Sequence, residues 1–104
     1  MEKIETGRLL KIADIIRLPE SQARVEINEE TVSEYRIAIE DGVSLPNIAV
    51  VFDGEWYYLA DGWHRYLAHE DAMREEIAAH VYRGVARDAI LYACGANAEH
   101  GLPR

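Results

Sequence analysis

Five consecutive residues, Asp61-Gly62-Trp63-His64-Arg65, bring together side chains suited to holding an anion. Arg65 offers a planar guanidinium fork that fits phosphate in a bidentate manner, and Gly62 lets a ligand approach the backbone closely. His64 adds charge only when protonated. A helix beginning here aims its first amides, and the positive end of its dipole, at the same point. A small acidic residue followed by Gly suits the capping position of such a helix. The same residues also fit a plain turn whose Arg pairs with a carboxylate, and this chain is rich in carboxylates. On the phosphate reading, Arg65 has no structural duty and its loss leaves the ligand-free fold intact.

The elements that must position the pentapeptide lie on either side of it. Glu55 to Ala60 is an aromatic run that reads as a strand, whereas Tyr66 to Met73 contains no Gly or Pro and reads as helix. Upstream, residues 8–12 read as a first strand and the Pro-led polar segment 19–24 as a loop. Asn28 is an expected N-cap, with Glu29 and Glu30 favourable in the first turn. Val32, Tyr35 and Ile39 then recur at helical spacing until Asp41-Gly42 stops the helix. Residues 47–52 form a continuous apolar run, a buried strand joined to the aromatic one by the hairpin signal Asp53-Gly54. Of Trp56, Tyr57 and Tyr58, two are expected to pack in the core.

Ile77, Ala79 and Val81 alternate as in a strand, and residues 85–98 read as a last helix. The order strand, helix, strand, strand, helix, strand, helix predicts an α+β fold. It is a small mixed sheet flanked by helices, in a single domain over residues 1–104.

Composition limits the functions available. A net charge of −8 repels a polyphosphate backbone, so strong direct DNA binding by this chain alone is not expected. No apolar window is long enough to span a membrane and the N-terminus lacks a signal-peptide core, which points to the cytoplasm. The single Cys94 excludes an intramolecular disulfide and a Cys-pair zinc site. Its neighbours Ala93, Gly95 and Ala96 suggest a buried, inert thiol. Asp61, His64, His69 and Glu70 make a poor metal-nuclease set. On one helix the two acids are far apart along the axis, and the histidines are five rather than four apart.

Four stretches, in order, resemble the N-terminal domain of ParB-type partition proteins, a fold shared with sulfiredoxin. Gln22-Ala23-Arg24 resembles the first box, usually Gln-Pro-Arg, and Leu45-Pro46-Asn47-Ile48-Ala49-Val50 resembles the segment leading into the following strand. Gly62-Trp63-His64-Arg65 resembles the second box, Gly-Glu-Arg-Arg in partition proteins and Gly-Cys-His-Arg in sulfiredoxin. Ala96-Asn97-Ala98-Glu99-His100 falls where the third box, Glu-Asn-x-Gln-Arg, belongs.

The resemblance implies a ParB/sulfiredoxin-like fold and a nucleotide or phosphate pocket lined by Gln22, Arg24, Gly62, Trp63, His64, Arg65 and Asn97. The ligand it implies is CTP, or ATP, with magnesium. The role it implies is DNA partition or transcriptional regulation, through a homodimer, a DNA-binding partner or a missing domain, since residues 1–104 contain no helix-turn-helix. Departures from the family pattern narrow this. Trp63 stands where sulfiredoxin has its catalytic Cys, so sulfinic-acid reduction is not expected. Ala96 replaces the Glu of the third box, removing a hard oxygen ligand for magnesium. His100 replaces the Arg of that box, leaving a weaker cation. The alternative function is a small metal-dependent nuclease or phosphohydrolase using the same pocket.

Overall fold

The computed structural model describes residues 1–95. The core sheet has five strands: β1 (Glu2–Lys11), β2 (Ile15–Ile16), β3 (Ile48–Phe52), β4 (Tyr57–Asp61) and β5 (Glu76–Arg83), in spatial order β1-β5-β3-β4-β2. β1 pairs antiparallel with β5 and β3 antiparallel with β4, while β3–β5 and β2–β4 are parallel, so the sheet is mixed as expected. The helices are α1 (Pro19–Gln22), α2 (Glu29–Glu40), α3 (Trp63–Asp71) and α4 (Ala86–Ala93).

Alternation dictates which side chains each face of the sheet receives. Leu10, Ile48, Val50, Leu59, Ile77 and Val81 share the larger core with Trp63 and Tyr66 of α3. α2 lies against α3 through Val32, Ile39 and Ala68, the helical stripe visible in the sequence. On the other face, Ala89 of α4 packs on Val51 and Ala60. Tyr57 lies half-buried against the larger core and Tyr58 half-buried against the α4 cluster, while Trp56 is half exposed, so two of the three pack against the core without being buried in it.

Local chemistry accounts for most boundaries. Asn28 caps α2, its side chain accepting the Thr31 amide at 3.0 Å. Asp53 organises the β3–β4 hairpin: its carboxylate accepts the Glu55 and Trp56 amides at 2.9 and 2.7 Å and the Tyr58 hydroxyl at 3.0 Å. α3 ends without a glycine because Met73 itself adopts the left-handed conformation, φ 61°.

Several expectations need correction. The first strand begins at Glu2 rather than residue 8; it is an edge strand with irregular register near Glu5 and Arg8, so its apolar alternation is blurred. Residues 12–14 form a 3-10 turn leading to β2, which the apolar-rich stretch around Asp14 concealed. Pro19–Gln22, expected as a loop, is one helical turn, with Pro at the position that needs no amide. Cys94 is exposed rather than buried, because α4 ends at Ala93 and Cys94 caps it from outside. The expected continuation of α4 to residue 98 passes beyond the described residues.

Gly62 joins β4 to α3 with φ 92°, and a Cβ there would lie 2.7 Å from Ile48 Cγ2. Gly42 has a similar φ of 86° with nothing within 4 Å of its would-be Cβ. Gly42→Ala should therefore cost about 1 kcal/mol, the left-handed penalty alone. Gly62→Ala adds a core clash and should cost about 2–4 kcal/mol. Urea denaturation of the two variants gives the comparison, and equal losses would show that Ile48 yields freely.

The Asp53 bonds generate a pH prediction. The Trp56 and Glu55 amides, then the Tyr58 hydroxyl, hold the Asp53 carboxyl below its ordinary 3.8. A depressed carboxylate contributes stability above the unfolded value and loses it as pH falls through the lowered one. Amide exchange at Glu55 and Trp56 should accelerate over that acid range in the wild type. In Asp53→Ala it should be fast already at neutral pH.

Candidate functional site

The pentapeptide sits where β4 passes directly into α3. Gly62, not Asp61, is the N-cap of α3, and no side chain caps the helix. The expected capping role of Asp61 is therefore not the one it plays. Its carboxylate instead lies 3.8 Å from Arg65 Nη2, one helical turn on. The first amide bonded back into the turn is that of Tyr66, which donates to the Gly62 carbonyl at 2.8 Å.

This helix start borders a cleft of about 350 Å3. Its walls are Ala60 to Arg65, Val25, Tyr35 of α2, and Tyr92 and Ala93 at the end of α4. Gly62, Trp63, His64 and Arg65 are thus brought together as expected. Gln22 and Arg24 are exposed and do not line the cleft, although Val25 beside them does. Asn97 lies outside the described residues.

Each of the three side chains from the second box has a structural partner. Trp63 is 3% exposed and belongs to the main core, its indole Nε1 buried with no hydrogen-bond partner among the described residues. It forms wall rather than an open stacking surface. His64 Nε2 accepts the Asn28 backbone amide at 3.0 Å, tying α3 to the start of α2. An accepting Nε2 carries no proton, so in this arrangement the ring is neutral with its hydrogen on Nδ1. Arg65 Nη1 donates to the carbonyls of Pro46 and Asn47 at 3.0 and 2.7 Å. Arg65 is therefore not without structural duty: it clasps the segment leading into β3. Its guanidinium is the fixed positive charge of the cleft, held in one place by those two carbonyls.

The structure adds Tyr35 and Tyr92 to the cleft, and places Asp61, expected as a cap, in its wall beside Arg65. Tyr35 was legible as part of the α2 stripe, but the stripe suggests core and Tyr35 sits at its half-buried margin. Tyr92 follows Ala89 by one helical turn on α4, a spacing that gives its face but not the cleft beneath it. Among the described residues, no group of three His, Cys, Asp or Glu side chains comes together for a metal ion. Asp61 and Glu70 belong to different hollows; Glu70 instead faces Arg17 at 3.5 Å beside Tyr66.

The sequence matches no family model and no curated protein. Solved structures do match it in fold. Sulfiredoxin from Arabidopsis thaliana superposes with a TM-score of 0.70 at 23% identity, over 85% of this chain and 97% of its own. The C-terminally truncated chromosome-partitioning protein ParB from Caulobacter crescentus, complexed with CTP-γ-S, gives 0.70 at 19% identity over 95% of this chain. A Pnob8-like ParB N-domain gives 0.69 at 15% identity over 89% of it. This chain has the ParB/sulfiredoxin-like fold. It spans 56% and 36% of the two ParB chains. No helix among the described residues is long and apolar enough to cross a membrane.

The double clasp by Arg65 overturns the expectation that its loss is harmless to the fold. Arg65→Ala should cost about 1.5–3 kcal/mol, the range for hydrogen bonds from a charged donor. Arg65→Lys should recover only part, because a compact ammonium cannot reproduce a planar fork. Exposed Arg87 is the comparison, and its Ala variant should unfold within about 0.5 kcal/mol of wild type. Indistinguishable urea midpoints for Arg65→Ala and wild type would refute the clasp.

Proposed function

We propose that the cleft at the start of α3 binds a nucleoside triphosphate or a related phosphate anion, and that the domain is a ligand-responsive regulatory module. The observation that carries this reading is the α3 start itself. It has no side-chain cap, it opens on the cleft, and it has the Arg65 guanidinium beside it. Amides at a helix start favour negative charge, and a permanent cation held in position adds to that attraction. The volume of about 350 Å3 suits a small molecule. A fold neighbour complexed with CTP-γ-S makes CTP a natural first ligand to try. Trp63 in the core offers no nucleophile, which argues for binding rather than covalent chemistry.

On this reading the module serves DNA partition or transcriptional regulation through a homodimer, a DNA-binding partner or a further domain. Support for that part comes from fold likeness to ParB, one of whose solved structures is complexed to the centromeric parS site. Gln22 and Arg24 would contribute only through a movement of the exposed segment they occupy, and Asn97 through the residues after α4.

Thermal unfolding in the presence of CTP, ATP, GTP and pyrophosphate, each with and without magnesium, tests the site. Wild type should melt higher with at least one of them. Arg65→Ala should start lower and show little ligand-induced rise, corresponding to a roughly ten- to hundredfold loss of affinity. Gly42→Ala, also destabilised but remote from the cleft, should keep the full rise. Absence of any rise in wild type across the panel would sink the reading.

A further inference from the structure

We infer that the hollow on the far side of α3 from the phosphate cleft is a second binding site. It takes a small zwitterion with an apolar body, an α-amino acid or dipeptide with nonpolar side chains. The hollow measures about 680 Å3, within the range of small-molecule pockets. Its floor is apolar: Ile12, Ile15 and Tyr66 are 7, 6 and 3% exposed. At its mouth stand Arg17 and Glu70, with Arg17 Nη1 3.5 Å from Glu70 Oε1 and both side chains partly open to solvent. That separation is longer than a charge-assisted hydrogen bond, so each group keeps bonding capacity for a ligand. The guanidinium is held there by the face of Tyr66, whose ring centre lies 5.6 Å away.

Charge selects the ligand class. A simple carboxylate that bonds Arg17 is repelled by Glu70, and a simple amine that bonds Glu70 is repelled by Arg17. An amino acid carries both charges on one carbon. It can enter between the two side chains and replace one long contact by two short, charge-assisted bonds. Its nonpolar side chain then covers the floor of Ile12, Ile15 and Tyr66, where burial of apolar surface adds to affinity. Around the rim, Lys11 and Arg74 alternate with Glu75 and Glu76, so a dipeptide with its charges farther apart also meets groups of both signs. The inference is independent of the phosphate reading, because none of these residues belongs to the cleft at the first turn of α3.

The test follows backbone amide signals of the whole chain during titration with L-leucine and leucyl-leucine. Two half-charged relatives, leucinamide and N-acetyl-leucine, complete the set. At least one zwitterion should shift the amides of Ile12, Ile15 and Tyr66 and leave those of Asp61 and Gly62 unmoved; the tighter of the two identifies the source. Each half-charged relative should bind wild type about tenfold more weakly than leucine, the loss of one charge-assisted bond. That comparison needs no variant. Glu70→Gln should weaken leucine about tenfold yet bind N-acetyl-leucine, which has no ammonium, as well as wild type does. Arg17→Gln should weaken leucine by about the same factor and spare leucinamide, which has no carboxylate. Arg87→Gln, outside the hollow, should match wild type with every probe. Equal affinity of wild type for leucine and leucinamide, or an unchanged leucine affinity in both variants, overturns the zwitterion site. So does the absence of any shift with either zwitterion up to about 10 mM, where even a weak specific site is occupied. None of these outcomes bears on the phosphate cleft, which CTP and pyrophosphate test separately.

Discussion

The approach on which the site depends is the one between Gly62 and Ile48, where a Cβ would lie 2.7 Å from Ile48 Cγ2. β4 turns into α3 with no intervening loop, and a turn that tight requires a left-handed residue pressed against the first residue of β3. Ile48 is fully buried, so it has nowhere to retreat. Three residues further on, Arg65 reaches back to the carbonyls of Pro46 and Asn47. The first turn of α3 is thus stapled twice to residues 46–48, once by contact and once by charge-assisted hydrogen bonds. His64 adds a third tie, to the amide of Asn28 at the head of α2. Fold stability and the shape of the cleft come from the same few interactions, and a change in one disturbs the other.

That economy explains what could be read from the chain in advance. The Asn28 cap, the Asp53-Gly54 hairpin and the alternation through Ile77, Ala79 and Val81 are local signals with local causes, and the structure follows them. The mixed α+β architecture follows from their order. Residues 12–16 were opaque because a short apolar-rich stretch interrupted only by Asp14 has too little period to separate a 3-10 turn from a strand. Apolar neighbours imply burial only while a helix continues, and α4 stops one residue before Cys94, which is therefore exposed. The acceptors of Arg65 were invisible for a different reason. They are backbone carbonyls, which every residue possesses, so no pattern of side chains announces them. Within the cleft, the second box was legible as a unit. The separation of Gln22 and Arg24 from it depends on how α1 places them, which their own sequence does not encode.

His64 shows how a structural bond constrains chemistry. A histidine beside an arginine in a candidate phosphate site invites a cationic role, but the Asn28 amide points at Nε2 and requires its lone pair. Protonation at that nitrogen would set two donors face to face and strand the amide at the head of α2. A neutral imidazole with its proton on Nδ1 is consistent with the bond, and it can still donate one hydrogen bond. The burden of positive charge therefore falls on Arg65 and on the helix start.

Size alone would place the phosphate elsewhere. A larger hollow, about 680 Å3, lies along the other side of α3, where Tyr66 and Glu70 meet residues 11–17. Its rim sets Lys11, Arg17 and Arg74 against Glu70, Glu75 and Glu76, and Arg17 lies over the Tyr66 ring at 5.6 Å. Opposite charges in such numbers cancel over short distances, so that hollow presents no net preference for an anion. Burial keeps the Tyr66 phenol protonated to higher pH than usual, and its hydroxyl reaches the Ile12 carbonyl only at 3.4 Å. The smaller cleft differs in kind. It has an uncapped helix start, one fixed guanidinium and one exposed carboxylate, three groups whose charges do not vary with the pairing of a crowded rim. An anion site is better recognised by convergent, fixed polar groups than by volume, and on that criterion α3 directs phosphate to its first turn.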